Sequence, residues 1–200
     1  MPFPDKIEPR LLHINLGKGM FMYQNIGCLI VDDEELLRSA LADLCKKRFY
    51  KVFEASTGEE SIELVKSNQI DLVLMDLQLP GISGLEAIEG ILKINPNALV
   101  IIQTGYGTEE HAKAALKLGA FDMLEKPVKR DLLLSCIERA SKRIYLEKVN
   151  REILEYIVLQ IDNISPEQYK ALDEDQKYDL LNRVLGIIRM KRLNLLSSRS

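Results

Sequence analysis

The chain has 200 residues, 46% of them hydrophobic, and a formal net charge of −3 at pH 7. That length supports one hydrophobic core and a small appendage, and so small a net charge gives no reason to expect a nucleic-acid or membrane partner. No apolar run approaches the roughly 20 residues of a transmembrane helix, and the cysteines lack metal or disulfide spacing. We therefore expect a cytoplasmic protein with reduced thiols at Cys28, Cys45 and Cys136.

Residues 1–24 form an N-terminal extension ahead of the first predicted strand. They contain Pro2, Pro4 and Pro9 and lack a sustained apolar stretch, so they do not resemble a secretory signal. The sequence leaves three interpretations open: a flexible arm, a small hairpin through Leu16–Gly19, or upstream sequence that the cell does not use.

Five short runs after residue 25 read as strands, although the second is more polar than the others. Continuous rather than alternating apolar character is typical of strands that are covered on both faces, which favours a parallel sheet. The runs are Cys28–Val31, Tyr50–Phe53, Ile70–Met75, Ala98–Ile102 and Phe121–Leu124.

The segments between these runs have helical length and apolar residues at helical spacing. Strands and helices therefore alternate as (βα)5, which predicts an α/β fold with a doubly wound, flavodoxin-like parallel sheet. The first helix is marked by Leu36, Leu37, Ala40, Leu41 and Leu44, and the fourth by Ala112, Ala115, Leu116 and Leu118.

Polar residues follow four of the predicted strands. Asp32 and Asp33 follow the first, Asp76 the third, Thr104 the fourth and Lys126 the fifth. Because the carboxyl ends of parallel strands meet at one sheet edge, these residues should form a site. Three carboxylates together need a neutralising cation, and a hard ion such as Mg²⁺ prefers oxygen ligands.

These motifs together resemble the receiver domain of two-component response regulators. The resemblance covers roughly residues 27–145 and is specific, because four motifs occur in the right order. It predicts a receiver domain at 25–145, carried by the stretches Leu29–Glu34, Asp71–Gly81, Thr104–Gly107 and Leu118–Pro127.

The resemblance implies that Asp76 takes a phosphoryl group from a histidine kinase or a phosphotransfer protein. By the same resemblance, Asp33, Asp76 and the main-chain carbonyl of Gln78 would ligate Mg²⁺, and Asp32 would hold a coordinated water. Lys126 and the metal would spread the charge of the transferring group. No enzymatic activity is expected beyond the chain's own phosphotransfer and dephosphorylation.

The resemblance also implies a switch. The Thr104 hydroxyl would donate to a phosphoryl oxygen and draw its loop inward, and a cis peptide would join Lys126 to Pro127. Gln78 and Tyr106 would flank the path of the hydrolytic water and tune the lifetime of the phosphoryl group.

One residue departs from the family pattern. Receivers usually carry an aromatic residue three positions before the lysine, where this chain has Met123. Methionine is flexible, so it could follow Thr104 without a discrete rotamer flip. Phe121 lies two residues away, and the strand period of two suggests that it shares a side with Met123 and partly substitutes for the missing ring.

The segment after Pro127 predicts a long helix. Residues 128–165 contain neither Pro nor Gly, and apolar side chains recur every three to four residues. About 35 residues would give a helix on the order of 50 Å long. The interval from Ile144 to Val149 breaks a strict heptad, so a coiled coil is compatible with the pattern but not required by it. Ser165-Pro166 and Asp173 then mark the starts of final helices.

We expect residues 146–200 to be a helical extension that supplies the output. Its apolar stripe must be covered, either by pairing of two protomers or by folding back of the final helix. The favoured output is a homodimerisation or protein-interaction module. The alternative is a DNA- or RNA-binding transcription regulator, although the segment is short for a helix-turn-helix domain.

Overall fold

The computed structural model describes residues 26–49, 51–105, 114, 117–162 and 164–197. The N-terminal extension 1–24, Tyr106 and most of the predicted fourth helix lie outside these residues. The chain divides into two compact units, one ending at Tyr145 and the other beginning at Leu146.

The first unit contains a five-stranded sheet. All four strand pairs are parallel, and the strands lie in the order β2-β1-β3-β4-β5. This is the flavodoxin-like order, and it confirms the predicted doubly wound α/β fold. The strands are β1 (Gly27–Val31), β2 (Lys51–Ala55), β3 (Leu72–Asp76), β4 (Leu99–Thr104) and β5 (Asp122–Glu125).

Helices follow the strands as the polar and apolar pattern predicts. Thr57 and Ser83 cap α2 and α3 by accepting from the backbone N–H groups of Glu60 and Glu86. The predicted long helix is confirmed as a single element of 33 residues. The first four described helices are α1 (Glu35–Lys46), α2 (Gly58–Ser67), α3 (Gly84–Ile94) and α4 (Arg130–Asp162).

Alternate residues of the central strands bury two separate hydrophobic clusters. The first cluster joins strand residues such as Ile30, Leu74 and Ile101 to α1 and to the beginning of α4. The second cluster joins Leu29, Val73 and Ile102, among others, to α2 and α3. Both faces of the sheet are therefore covered, which explains why the strand runs are apolar throughout.

The buried face of α1 differs from the one that the apolar pattern suggests. Leu41 and Cys45 are buried, whereas Leu36 is 82% exposed. At 3.6 residues per turn, Leu36 lies roughly 140° around the helix axis from Leu41, so it cannot share the core-facing stripe. The apolar pattern located the helix correctly but included Leu36, which lies on the solvent side.

Phe121 does not share a face with Met123. Met123 packs against the second cluster, while Phe121 packs against the first and lies under the Arg139 guanidinium, 5.8 Å from the ring centroid. β5 begins only at Asp122, so the two-residue alternation does not extend back to Phe121. The prediction that Phe121 partly substitutes for an aromatic residue at 123 is therefore wrong.

The three cysteines are free and buried, as predicted. The Cys136 thiol on α4 donates to Asp122 Oδ2 at 3.1 Å. Burial first, and then the hydrogen bond to Asp122, raise the pKa of Cys136 to about 12. The thiol therefore stays protonated at neutral pH, which disfavours oxidation.

The second unit has a small core of its own. Val158 of α4 packs with Leu180 and Val184, and Tyr169 and Leu172 lie against this cluster. The cluster joins α4 to α5 (Pro166–Lys170) and α6 (Glu174–Ser197), so the final helix does fold back on part of the stripe. The predicted capping box at Ser165 and Gln168 is present. Within the described residues, no helix is long and apolar enough to cross a membrane.

Candidate functional site

Two buried carboxylates and one ammonium meet at the carboxyl edge of the sheet. Asp32 follows β1 and is 1% exposed, and Asp76 ends β3 and is 5% exposed. Lys126, which follows β5, places its Nζ 2.8 Å from Asp32 Oδ2 and 2.5 Å from Asp76 Oδ2. The ammonium thus bridges two acids whose burial would otherwise be costly.

Backbone donors orient both carboxylates. The N–H of Glu34 donates to Asp32 Oδ1 at 2.9 Å, and the N–H of Gln78 donates to Asp76 Oδ1 at 3.0 Å. Gly84 lets α3 begin against the end of β3, because a Cβ there would lie 2.2 Å from the carbonyl oxygen of Asp76. The local sequence therefore holds both carboxylates in defined orientations.

Asp33 completes an acidic cluster. Its side chain is exposed, and carboxylate oxygens of Asp32, Asp33 and Asp76 all lie within 4.8 Å of one another. Three carboxylates carry −3 and Lys126 carries +1, which leaves −2 at the site. Hard oxygen donors with two uncompensated charges fit a divalent ion such as Mg²⁺.

The Lys126 ammonium is stabilised by its acidic neighbours. Burial lowers the pKa of Lys126, but the hydrogen bonds and charges of Asp32 and Asp76 outweigh it, so that the pKa is raised overall. The side chain consequently keeps its positive charge throughout the physiological pH range. A fixed positive charge beside a buried carboxylate can stabilise an anion that develops there.

The model of the response regulator receiver domain family matches residues 28–138. The chain belongs to this family. The chemotaxis protein CheY of Thermotoga maritima is 36% identical over 115 residues, which cover 57% of this chain and 96% of CheY. Among solved structures, a CheY-like receiver domain protein from Methanospirillum hungatei has a TM-score of 0.59 and 29% identity, covering 61% of this chain and 98% of that one.

A further relative matches beyond the receiver domain. A cyclic di-GMP phosphodiesterase of Thermotoga maritima is 31% identical over 162 residues, or 81% of this chain. The chain spans only 43% of that relative's length. The match is longer than a receiver domain, so it also includes part of the helical extension.

Further residues of the predicted site lie at the end of β4, on β5 and directly after β5. Thr104 ends β4 and is 1% exposed, and its carbonyl oxygen accepts from the backbone N–H of Lys126 at 2.7 Å. The Lys126-Pro127 peptide is cis, as predicted. Met123 pairs with Ile102, two rows before Thr104 in the β4–β5 ladder. Thr104 and Met123 are thus near neighbours on adjacent strands.

Gln78 lies close to the cluster through its backbone, whereas its side chain is exposed. The side-chain Oε1 lies 3.9 Å from where a Cβ on Gly105 would be. Gln78 therefore spans the space between the loops after β3 and β4. The predicted role of Tyr106 beside it falls outside the described residues.

Two residues at the site were not anticipated from the sequence. Arg38 of α1 donates to the main-chain oxygens of Asp32 at 2.7 Å and Asp33 at 3.4 Å, which braces the loop after β1. Gln103 is a buried amide next to Thr104. In the sequence it is the polar residue between the apolar run Ala98–Ile102 and Thr104, but periodicity alone does not say what such a residue contacts.

Proposed function

We propose that the chain is a phosphorylated switch in which Asp76 accepts a phosphoryl group from the phosphohistidine of a histidine kinase or phosphotransfer protein. The observation that carries the proposal is the Lys126 ammonium, which bridges the buried Asp32 and Asp76 carboxylates. Such a bridge places a fixed positive charge where phosphoryl oxygens would arrive. The helical extension would then pass the change of state to a partner.

The chemistry requires no general base. A carboxylate oxygen of Asp76 forms a bond to phosphorus while the bond to the donor's imidazole nitrogen breaks, and that nitrogen keeps the electron pair. Lys126 stabilises the charge on the phosphoryl oxygens. Asp33, Asp76 and the main-chain carbonyl of Gln78 would hold Mg²⁺, and Asp32 would act through a coordinated water. The bound ion would neutralise the remaining negative charge. The chain would thereby catalyse its own phosphorylation and dephosphorylation.

The first prediction tests the acceptor. The chain has no tryptophan whose fluorescence could report on the site. Incorporation of the phosphoryl group is therefore best followed with radiolabelled acetyl phosphate. We expect Mg²⁺-dependent, base-labile labelling of the wild-type chain and none of Asp76→Asn. Asp71→Asn is the matched control, since Asp71 lies directly before β3, at the end opposite Asp76, and accepts from the Gly27 N–H at 2.9 Å. Equal labelling of wild type and Asp76→Asn would reject Asp76 as the acceptor.

Phosphorylation would reach the rest of the domain through Thr104. Its hydroxyl would donate to a phosphoryl oxygen and draw the loop after β4 toward Asp76. Met123, which lies on the adjacent strand and packs with the second cluster, would repack without a discrete ring rotation.

A second candidate output is homodimerisation through α4. The exposed fractions of Leu146 and Ile153 are 50% and 43%, and these residues are seven apart with Val149 between them. A spacing of seven with an intermediate apolar residue matches one heptad of a coiled-coil seam. On the other side of this helix, Val158 already packs against α6. We therefore propose that a second copy of the chain packs against Leu146 and Ile153.

The second prediction tests this seam. Replacing Leu146 and Ile153 together with Glu should weaken a dimer by on the order of 1.5–3 kcal/mol per site, because each buried aliphatic side chain contributes about that much. Light scattering over a concentration series gives the dissociation constant. Tyr178→Glu is the control, since Tyr178 is 66% exposed on α6 away from the seam. A wild-type chain that stays monomeric at all concentrations would reject self-association.

A further inference from the structure

Gln103 is a buried amide that has no hydrogen-bond partner among the described residues. The residue is 2% exposed, and within the described part of the chain neither Nε2 nor Oε1 has a partner. Buried amides are nearly always hydrogen-bonded, because stripping one of water without compensation destabilises the fold. A hydrophobic side chain of the same size would avoid this loss of stability. The surroundings of the amide suggest why an amide stands here.

The register of the sheet places Gln103 between the two central groups of the site. It pairs with Asp76 on β3 and with Leu124 on β5. Strand alternation puts its side chain on the same face as Ile101, which belongs to the first cluster. Asp76 follows Leu74 by two residues and Lys126 follows Leu124 by two, and both leucines pack in that cluster.

The same face therefore carries Asp76 and the Gln103 amide, and Lys126 is joined to it through its ion pair with Asp76. In the unphosphorylated site, Asp76 Oδ1 accepts from the Gln78 N–H and Oδ2 accepts from Lys126. Lys126 in turn is committed to Asp32 and Asp76. Asp76 and Lys126 are thus hydrogen-bonded to each other and to other groups in this state.

We infer that Gln103 is a positioning residue for the phosphorylated site, and this inference rests on the proposed phosphorylation of Asp76. When Asp76 becomes an acyl phosphate, its negative charge moves onto the phosphoryl oxygens, and the Lys126 ammonium follows that charge. With the phosphoryl group on Oδ1, the Oδ2 atom loses its Lys126 donor, which leaves it a lone pair besides the one that would face Mg²⁺. The Nε2 of Gln103 donates to that oxygen, while its Oε1 accepts from the displaced ammonium.

The amide thus weakens the unphosphorylated state and strengthens the phosphorylated one. A residue that is idle in one state and paired in the other shifts the equilibrium between them by its difference in interaction. The phosphorylated conformation would therefore be more stable, relative to the unphosphorylated one, than in the same site with an apolar residue at position 103.

The test compares melting temperatures of the full chain with and without Mg²⁺ and beryllofluoride, which mimics the phosphoryl group on a carboxylate. Gln103→Met keeps the size of the side chain and removes the amide. Without the ligand we expect this variant to melt about 3 °C higher than wild type, because an unpaired buried amide is removed. With the ligand, its melting temperature should rise by about 3 °C less than that of wild type.

Ser141→Ala is the matched control. Ser141 lies on α4, is 0% exposed, and its Oγ likewise has no partner among the described residues. It belongs to a helix and has no place in the β3–β4–β5 ladder that carries Asp76 and Gln103. Ser141→Ala should raise the melting temperature without the ligand and leave the ligand-induced increment equal to that of wild type.

The outcomes separate the two hypotheses. If the wild-type chain shows no increment with Mg²⁺ and beryllofluoride, the proposed phosphorylation of Asp76 fails. If wild type shows an increment and Gln103→Met shows the same one, phosphorylation stands and the role of Gln103 is overturned.

A second measurement uses the wild-type chain, so it does not depend on whether the variant folds. The side-chain N–H₂ resonances of Gln103, assigned through bonds from its backbone amide, should shift and exchange more slowly with water when the ligand binds, and unchanged resonances would also overturn the inference.

Discussion

Lys126→Met is expected to slow phosphorylation of Asp76 by about 10²–10³-fold, the typical effect of removing one preorganised group that stabilises developing charge. Methionine keeps much of the aliphatic stem but cannot neutralise phosphoryl oxygens. The Lys126 ammonium bridges Asp32 and Asp76, so its loss also leaves two buried carboxylates without that cation. The rate is measured with radiolabelled acetyl phosphate at saturating Mg²⁺.

The control for this substitution is Lys66→Met. Lys66 forms an exposed ion pair with Glu63 at 2.6 Å in α2, so its loss removes the same charge from the chain away from the site. The phosphorylation rate should be unchanged, because exposed pairs contribute little. A Lys126→Met rate within about threefold of wild type would mean that the bridge is structural and that charge stabilisation comes from elsewhere.

Gly84→Ala is expected to destabilise the receiver unit by about 2 kcal/mol or more, since overpacking a tight contact typically costs 1–3 kcal/mol. A Cβ at residue 84 would lie 2.2 Å from the Asp76 carbonyl oxygen and 2.7 Å from Leu77 Cα. Both are backbone atoms and cannot rotate away. The helix α3 must therefore shift, and phosphorylation of Asp76 should slow along with the loss of stability.

Gly186→Ala is the matched control, with the opposite sign expected. Gly186 lies inside α6, and no atom of the described residues lies within 4 Å of a Cβ placed there. Alanine should stabilise this helix by up to about 1 kcal/mol through helix propensity. Urea denaturation followed by circular dichroism measures both variants. If Gly84→Ala were as stable as wild type, the close approach of α3 to β3 would not be needed.

The fold and the composition of the site were predictable from local patterns. Continuous apolar runs mark buried parallel strands, and residues just after such strands must meet at one sheet edge. Asp32, Asp33, Asp76 and Lys126 could therefore be grouped from the order of residues alone. The long helix was predictable for a similar reason, because about 35 residues without Pro or Gly leave few alternatives to a helix.

The pattern was less reliable where a residue stands at the edge of an element. Leu36 reads as part of the apolar stripe of α1 but is exposed, because its direction depends on how the helix is rotated against the sheet. Phe121 reads as a strand residue, yet it lies before β5 begins and packs on the other face from Met123. In both cases a shift of one position changes the face that a side chain occupies.

The sequence by itself determined the order of strands and helices, the residues that could carry phosphoryl chemistry and the positions of the final helices. Only the tertiary structure decided that Lys126 bridges two acids, that Arg38 braces the loop after β1 and that the Gln103 amide is left without a partner among the described residues. The reason is that periodicity reports burial and direction within one element, whereas hydrogen bonds and ion pairs depend on distances between elements that are far apart in the chain.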